Sequence, residues 1–205
     1  MNKGERYDQM IKNPQDDALG LFENYYENMK IIQEHIISLN PKQVFDIGCG
    51  TGNLTGPLSD KINVIGVDKS DEMLVQANAK YPNMTFINED LDKWISEANL
   101  SSGNLIISSF VLHALKNKDD VLNWFSEVLK NNNIVIIVDY FYKNEIERLD
   151  FIKRLKSDGK TDLSDLIESK YYIKIDEIEA WCNAQNVVFK LTMLTHWIGM
   201  IEIKI

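Results

Sequence analysis

The sequence predicts an open α/β fold, a largely parallel sheet with helices on both faces that closes in an antiparallel pair. Three observations predict it. Short β-branched apolar runs alternate with helical periodicity from residue 43 to residue 140. Those runs are apolar on both faces, as parallel strands are when helices cover both sides of a sheet. The last two runs, "VVFKLTML" and "HWIGMIEIKI", lie too close in sequence for a crossover helix and must pair antiparallel.

The elements follow in order. Residues 15–39 predict a helix, with Leu21, Tyr25, Met29, Ile32 and Ile36 recurring at helical spacing and Pro41 closing the segment. After it come strand "QVFDI", helix "NLTGPLSDK", strand "NVIGVD", helix "SDEMLVQANAKY", strand "MTFINED", short helix "LDKWISEA" and strand "NLIISSF". Helix "KDDVLNWFSEVLK" and strand "NIVIIVDY" complete the alternation. Ser70 followed by Glu72, and Asp119-Asp120, supply helix starts with negative charge at the positive helix end. From residue 141 the pattern changes to two helices parted at Asp158-Gly159, then helix "DEIEAWCNAQN" before the closing pair. A single domain over residues 1–205 is expected, with an N-terminal helical segment (1–40) and a helical insertion (141–172) as covers for a site.

At 205 residues the chain is long enough to bury a substantial core, and its 44% apolar and 26% charged residues are ordinary for a globular protein. The net charge of −9 argues against extended contact with nucleic acid or anionic lipid, which need basic surface. Cys49 and Cys182 match no metal-ligand spacing, and the opening "MNKGERYDQM" lacks the apolar stretch of a signal peptide. No apolar run approaches the roughly 18–20 residues of a membrane helix. A soluble cytoplasmic protein without a metal is expected, its oligomeric state open.

The chemistry concentrates in "VFDIGCGTGNLTGPL", Val44 to Leu58, where a strand-like run breaks into four glycines. Ligands of open α/β sheets bind outside the carboxyl ends of the strands. Asp46, Asp68 and Asp90 fall there at intervals of 22 and 22 residues, after the first, second and third strands. A carboxylate after the second strand commonly holds ribose hydroxyls, so a dinucleotide and an adenosyl ligand both remain possible at this point. Two details separate them. In G-x-G-x-x-G terms Gly48 and Gly50 fit, but Asn53 stands at the third glycine position. Asp46 would also oppose a pyrophosphate, since like charges about 6 Å apart repel by roughly 3 kcal/mol at an effective dielectric near 20.

"VFDIGCGTGNLT" resembles motif I of the class I S-adenosylmethionine (AdoMet)-dependent methyltransferases, an acidic residue, one residue, then G-x-G-x-G. "GVDKSDEML" and "INEDL" are similar to the second and third motifs of that family, and "NLIISSFVLHAL" to its fourth strand and the segment after it. The likeness spans about residues 43–140 and covers four ordered motifs. It implies a Rossmann-like seven-stranded sheet of order 3-2-1-4-5-7-6 with strand 7 antiparallel. It also implies AdoMet as cofactor and S-adenosylhomocysteine as product. Gly48 and Gly50 would let the backbone approach the methionine and ribose parts, Asp46 would hold the cationic end, and Asp68 would accept from the ribose hydroxyls. Lys69 and Met73 would flank the adenine, Asp90 would accept from its amino group with the N–H of Leu91 at the ring nitrogen, and Ser108–Phe110 would wall the sulfonium. Asn104 departs from an Asp often found at the start of the fourth strand.

Plainer roles compete. Asp46 could cap its own turn, and Asp68 and Asp90 could each cap the helix that follows. Cys49 suits packing better than nucleophilic attack, and Trp94 and Trp124 suit the core. His113 is a weak candidate proton acceptor, beside Tyr7 and Asp139; His35 is expected on a solvated helix face. Tyr7, Asp8, Tyr140, Tyr142, Tyr171 and Tyr172 belong to segments able to close over the site. The acidic balance favours a small-molecule acceptor, methylated by direct in-line displacement, and "NLIISSF" lacks the Asn/Asp-Pro-Pro-Tyr signature of amino-methylating enzymes of adenine and glutamine. The alternatives are a non-catalytic module that binds AdoMet or S-adenosylhomocysteine and, after it, a nicotinamide-dependent oxidoreductase.

Overall fold

A computed structural model describes residues 3–13, 22, 24–116 and 118–205, with backbone alone for Lys3, Gly4 and Tyr7. The helical reading of residues 15–21 and the Tyr7 side chain lie outside the described residues. Seven strands form one sheet: β1 (Gln43–Ile47), β2 (Asn63–Asp68), β3 (Thr85–Asn88), β4 (Leu105–Ser109), β5 (Ile134–Tyr140), β6 (Val188–Met193) and β7 (Ile198–Lys204). Their order is β3-β2-β1-β4-β5-β7-β6, parallel except for β7, which runs antiparallel to β5 and β6. Strand order reverses between β1 and β4, which opens a crevice at their carboxyl ends.

Among the described residues eight helices surround the sheet: α1 (Lys3–Lys12), α2 (Tyr25–Ser38), α3 (Asp71–Lys80), α4 (Leu91–Glu97), α5 (Asp119–Lys130), α6 (Glu145–Ser157), α7 (Thr161–Glu168) and α8 (Ile175–Gln185). Alternation along the strands divides the core in two. Leu105 and Ile107 of β4 point to the face where Ile32 and Ile36 of α2 pack, with Ile152 and Leu155 of α6 and Ile167 of α7. Ile106 points to the other face, against Val121, Phe125 and Leu129 of α5 and Ile178 of α8. Each such side chain contributes about 1.5–3 kcal/mol of hydrophobic stabilisation when fully buried. Trp94 and Trp124 belong to this second face, their rings edge to face at 5.5 Å.

The insertion forms the two expected helices. Asn144 caps α6 by accepting from the Glu147 N–H at 3.0 Å, and Gly159, at φ +73°, turns the chain between α6 and α7.

Two sequence expectations fail. The helix expected over "NLTGPLSDK" is only a 3-10 turn at Gly56–Leu58. Pro57 supplies no N–H, and Gly56 is pressed against Tyr81, where a Cβ would lie 2.3 Å from the ring. His35 does not sit on a solvated face: its Nε2 lies 2.7 Å from Glu202, a buried carboxylate of β7 that also pairs with Lys204. The partner is a charged residue on a strand distant in sequence, and nothing local in α2 reveals it.

Candidate active site

The glycine segment begins where β1 ends. Gly48 and Cys49 both donate their N–H to the Val67 carbonyl of β2, at 2.7 and 3.1 Å, which folds the chain back over the sheet rim. Gly48 takes φ +76° and lies so close to Val111 that a Cβ would stand 2.2 Å from its Cγ2. Gly50 takes φ +54° with nothing within 4 Å of where a Cβ would be, so its backbone faces open space. Its N–H donates to Asp68 Oδ2 at 2.9 Å, while Ser70 N–H donates to Asp68 Oδ1 at 2.9 Å. Asp68 thus ties the glycine loop to the start of α3. An ionised carboxylate accepts about four hydrogen bonds, so it keeps lone pairs for a ligand.

Asp46 is buried in β1. Its Oδ2 accepts from Thr55 Oγ1 at 2.6 Å, and its Oδ1 is buried without a hydrogen-bond partner among the described residues. Burial pushes its carboxyl up to about 7; the Thr55 hydroxyl opposes the rise and the Asp68 charge adds to it. An acceptor left bare beside a cavity is costly and is relieved by a donor or cation placed there.

These groups line a cavity of about 400 Å³ at the crevice, with Gly48, Gly50, Lys69, Met73, Asp90 and Leu91 in its wall. Glu89 and Asp92 join Asp46, Asp68 and Asp90 there, so five carboxylates face one basic residue, Lys69, among the described residues. Lys69 is itself paired with Asp90 at 3.4 Å. Asp90 also caps α4, accepting from the Asp92 N–H at 3.1 Å. Its plainer role is therefore present, as is that of Asp68. Ser108 is not in the wall. It is fully buried and, by strand alternation, points with Ile106 away from the cavity, which Ser109, Phe110 and Val111 line instead.

The sequence reading assigned no place in the cavity wall to Tyr25 of α2, Thr51 or Asn53, which also line it. Thr51 and Asn53 donate to Asp8 of α1, at 3.1 and 3.0 Å, and Lys80 of α3 reaches Asp8 at 2.9 Å. Burial opposes ionisation of Asp8, yet Lys80, Asn53 and Thr51 hold its carboxyl below the ordinary range. Phe110 holds a left-handed backbone at φ +56°, rare for a bulky residue and a mark of functional strain. His113 lies in the next turn, off the cavity wall, with Nδ1 2.7 Å from Asp139 of β5.

A methyltransferase-domain family profile matches residues 44–132, from β1 to the end of α5. The methyltransferase YrrT of Halobacillus halophilus is 25% identical over 202 residues, covering 97% of this chain and 92% of the relative. The chain carries a methyltransferase domain. A methyltransferase of Bacillus pumilus is 25% identical over 187 residues, 89% of this chain and 86% of the relative. The methyltransferase shares its fold with magnesium protoporphyrin IX methyltransferase from Synechocystis PCC 6803, solved with bound S-adenosylhomocysteine. The TM-score is 0.71 at 16% identity, over 97% of this chain and 92% of that one. It also shares it with an AdoMet-dependent methyltransferase from Clostridium acetobutylicum, at TM-score 0.66 and 16% identity, over 100% and 99% of the chains. S-adenosylhomocysteine is bound in the first of these two structures, and the second is named for AdoMet. The cavity suits that molecule in charge: an acidic wall with a bare Asp46 oxygen and an open Gly50 accepts a sulfonium and an ammonium and disfavours a diphosphate.

Proposed function

We propose that the methyltransferase transfers the AdoMet methyl group to a small-molecule acceptor by direct in-line displacement. The observation that carries the cofactor assignment is the wall of five carboxylates around an open glycine loop. Asp46 takes the cationic methionine end, Gly48 and Gly50 pass beneath it, and Asp68 accepts from the ribose. Met73 and Leu91 enclose the adenine with Lys69 and Asp90 at its edge; of the Ser108–Phe110 segment expected at the sulfonium, Ser109 and Phe110 line the cavity. Bound AdoMet supplies a methyl group on a sulfonium whose sulfur leaves as a neutral thioether. The protein's own task is to orient the acceptor in line and exclude water.

A small acceptor is supported by the net charge of −9 and by α1, tied beside the glycine loop through Asp8. The Synechocystis neighbour is named for a porphyrin acceptor. Among the described residues no helix is long and apolar enough to cross a membrane, and no His/Cys/Asp/Glu cluster could hold a metal. A cytoplasmic location belongs to the same reading, supported by Cys49 and Cys182 as free thiols.

Calorimetry with AdoMet, S-adenosylhomocysteine and NADH side by side tests the cofactor site. The adenosyl ligands should bind and NADH should not. Asp68→Ala should weaken AdoMet by about 1.5–3 kcal/mol, the scale of hydrogen bonds to a charged group. Binding of NADH alone, or unchanged AdoMet affinity in the variant, would remove the assignment.

A further inference from the structure

We propose that the Asp46 carboxyl is a proton-exchange site, which holds a proton in the ligand-free protein and gives it up to solvent when AdoMet enters, so that cofactor binding is switched on as pH rises toward neutrality. This rests on the AdoMet reading and adds a regulation of that same cavity.

The geometry around Asp46 leaves its charge unsupported. Asp46 is 2% exposed, yet it lines the cavity. Its Oδ2 accepts from the hydroxyl of Thr55, itself fully buried, at 2.6 Å. Its Oδ1 is buried with no hydrogen-bond partner among the described residues. One neutral donor falls well short of the roughly four hydrogen bonds an ionised carboxylate accepts. A buried acid in that position is either paired with a cation or takes a proton. Among the described residues no cation pairs with it. Lys69, the basic residue of the cavity wall, pairs with Asp90 at 3.4 Å, and Lys80 pairs with Asp8 at 2.9 Å.

The elements packed around Asp46 bring no positive charge either. Strand register places Gly66 of β2 and Ile107 of β4 beside it. Asp68, at the end of β2, adds a like charge, held by the N–H groups of Gly50 and Ser70 at 2.9 Å each. Cys49, in the glycine loop, is pushed up by burial and by both carboxylates, so its thiol stays neutral. Met84 Sδ, before β3, lies 4.0 Å from the Thr55 hydroxyl and is uncharged. Tyr25 of α2, Glu89 and Asp90 after β3, and Asp92 of α4 complete the titratable wall. Burial, with the Asp68 charge, raises the Asp46 carboxyl to about 7 against the pull of Thr55.

AdoMet brings an ammonium and a sulfonium into this acidic cavity. A cation beside a carboxyl favours its ionised form. The O–H bond at Asp46 then breaks, its electron pair stays on the carboxylate oxygen, and the proton passes to the buffer. A proton held more tightly without ligand than with it opposes binding below pH 7 and ceases to oppose it above. Apparent AdoMet affinity should therefore rise about 10–50-fold from pH 5 to pH 7.

Calorimetry at pH 6 in buffers of different ionisation enthalpy counts the protons. AdoMet should release about 0.9 proton per site, and S-adenosylhomocysteine, which keeps the ammonium, should match it. The neutral 5′-methylthioadenosine, which lacks the amino-acid end, should release none. Asp46→Asn should abolish the release and flatten AdoMet affinity between pH 5 and pH 7. Carbon NMR of protein labelled at its aspartate carboxyls adds a check that needs no variant. One aspartate should titrate near pH 7 in the ligand-free protein and move to its ionised position when AdoMet is added at pH 6. AdoMet binding without proton release, equal release by 5′-methylthioadenosine, undiminished release in the variant, or no aspartate titrating near neutrality overturns the proposal. Failure of all three adenosyl ligands to bind would instead remove the cofactor reading, while the carboxyl titration still decides whether Asp46 holds a proton.

Discussion

A single buried acid sets the electrostatics of the cofactor cavity. Asp46 has one oxygen satisfied by Thr55 and one bare, and its carboxyl stands near 7, above the ordinary value of 3.8. A group whose folded-state pKa is raised binds a proton more tightly when folded. Its contribution to stability is therefore full below about pH 4 and is lost as pH rises through 7. Above pH 7 the ligand-free protein carries a desolvated anion that only a cation in the cavity relieves. Asp46→Asn keeps the shape and an acceptor for Thr55 while removing the charge. It should stabilise the ligand-free protein at pH 8 by up to about 4 kcal/mol, at about 1.4 kcal/mol per pKa unit, and much less at pH 5. The same variant should bind AdoMet more weakly. Urea denaturation at the two pH values, with calorimetry alongside, checks both halves; equal gains at pH 5 and pH 8 would mean that burial does not set the Asp46 pKa.

Among the elements, α1 docks through Ile11, buried in the core, and through one polar cluster. Asp8 accepts from Thr51, Asn53 and Lys80, joining α1 to the glycine loop and to α3. The loop residues it grips line the cavity, so α1 bears directly on how AdoMet leaves. Asp8→Ala should cost about 1–2 kcal/mol of stability through unpaired donors and raise the AdoMet dissociation rate several-fold, measured by stopped-flow displacement; an unchanged rate would make α1 a bystander. Sequence periodicity found most elements because strands and long helices state their own pattern: α5 buries Val121, Trp124, Phe125, Val128 and Leu129 at steps of three and four. It failed over residues 53–61, where polar and apolar spacing looked helical but Gly56 and Pro57 serve a turn packed on Tyr81. It gave no sign of the Asp8 cluster, because residues 8, 51, 53 and 80 meet only in three dimensions.

The whole molecule gathers its chemistry by topology. Parallel strands β1, β2 and β3 end on one rim, so acids spaced by one βα unit arrive at one cavity, and that regularity made Asp46, Asp68 and Asp90 legible from spacing. Parity was harder. Ser108 and Ser109 are adjacent on β4 and face opposite sides, so the expected Ser108–Phe110 segment reaches the cavity only from Ser109 onward. The pairing of His113 with Asp139 was likewise hidden, since β4 and β5 are joined by a helix and meet only through the sheet register. Because the cavity is shared by the rims of three strands, the loop after β4 and three helices, filling it should stabilise the fold as a unit and not one loop. AdoMet at about 100 times its Kd adds about 2.7 kcal/mol. For a domain of this size each kcal/mol moves Tm by about 2–4 °C, so the melting temperature should rise by about 5–10 °C in one cooperative transition. NADH at the same concentration should leave it unmoved, because its diphosphate meets the acidic wall. A two-step melt with AdoMet, in which only part of the structure is protected, would show that the cavity belongs to a separately folding piece. A shift with NADH equal to that with AdoMet would show that the carboxylates do not select the ligand.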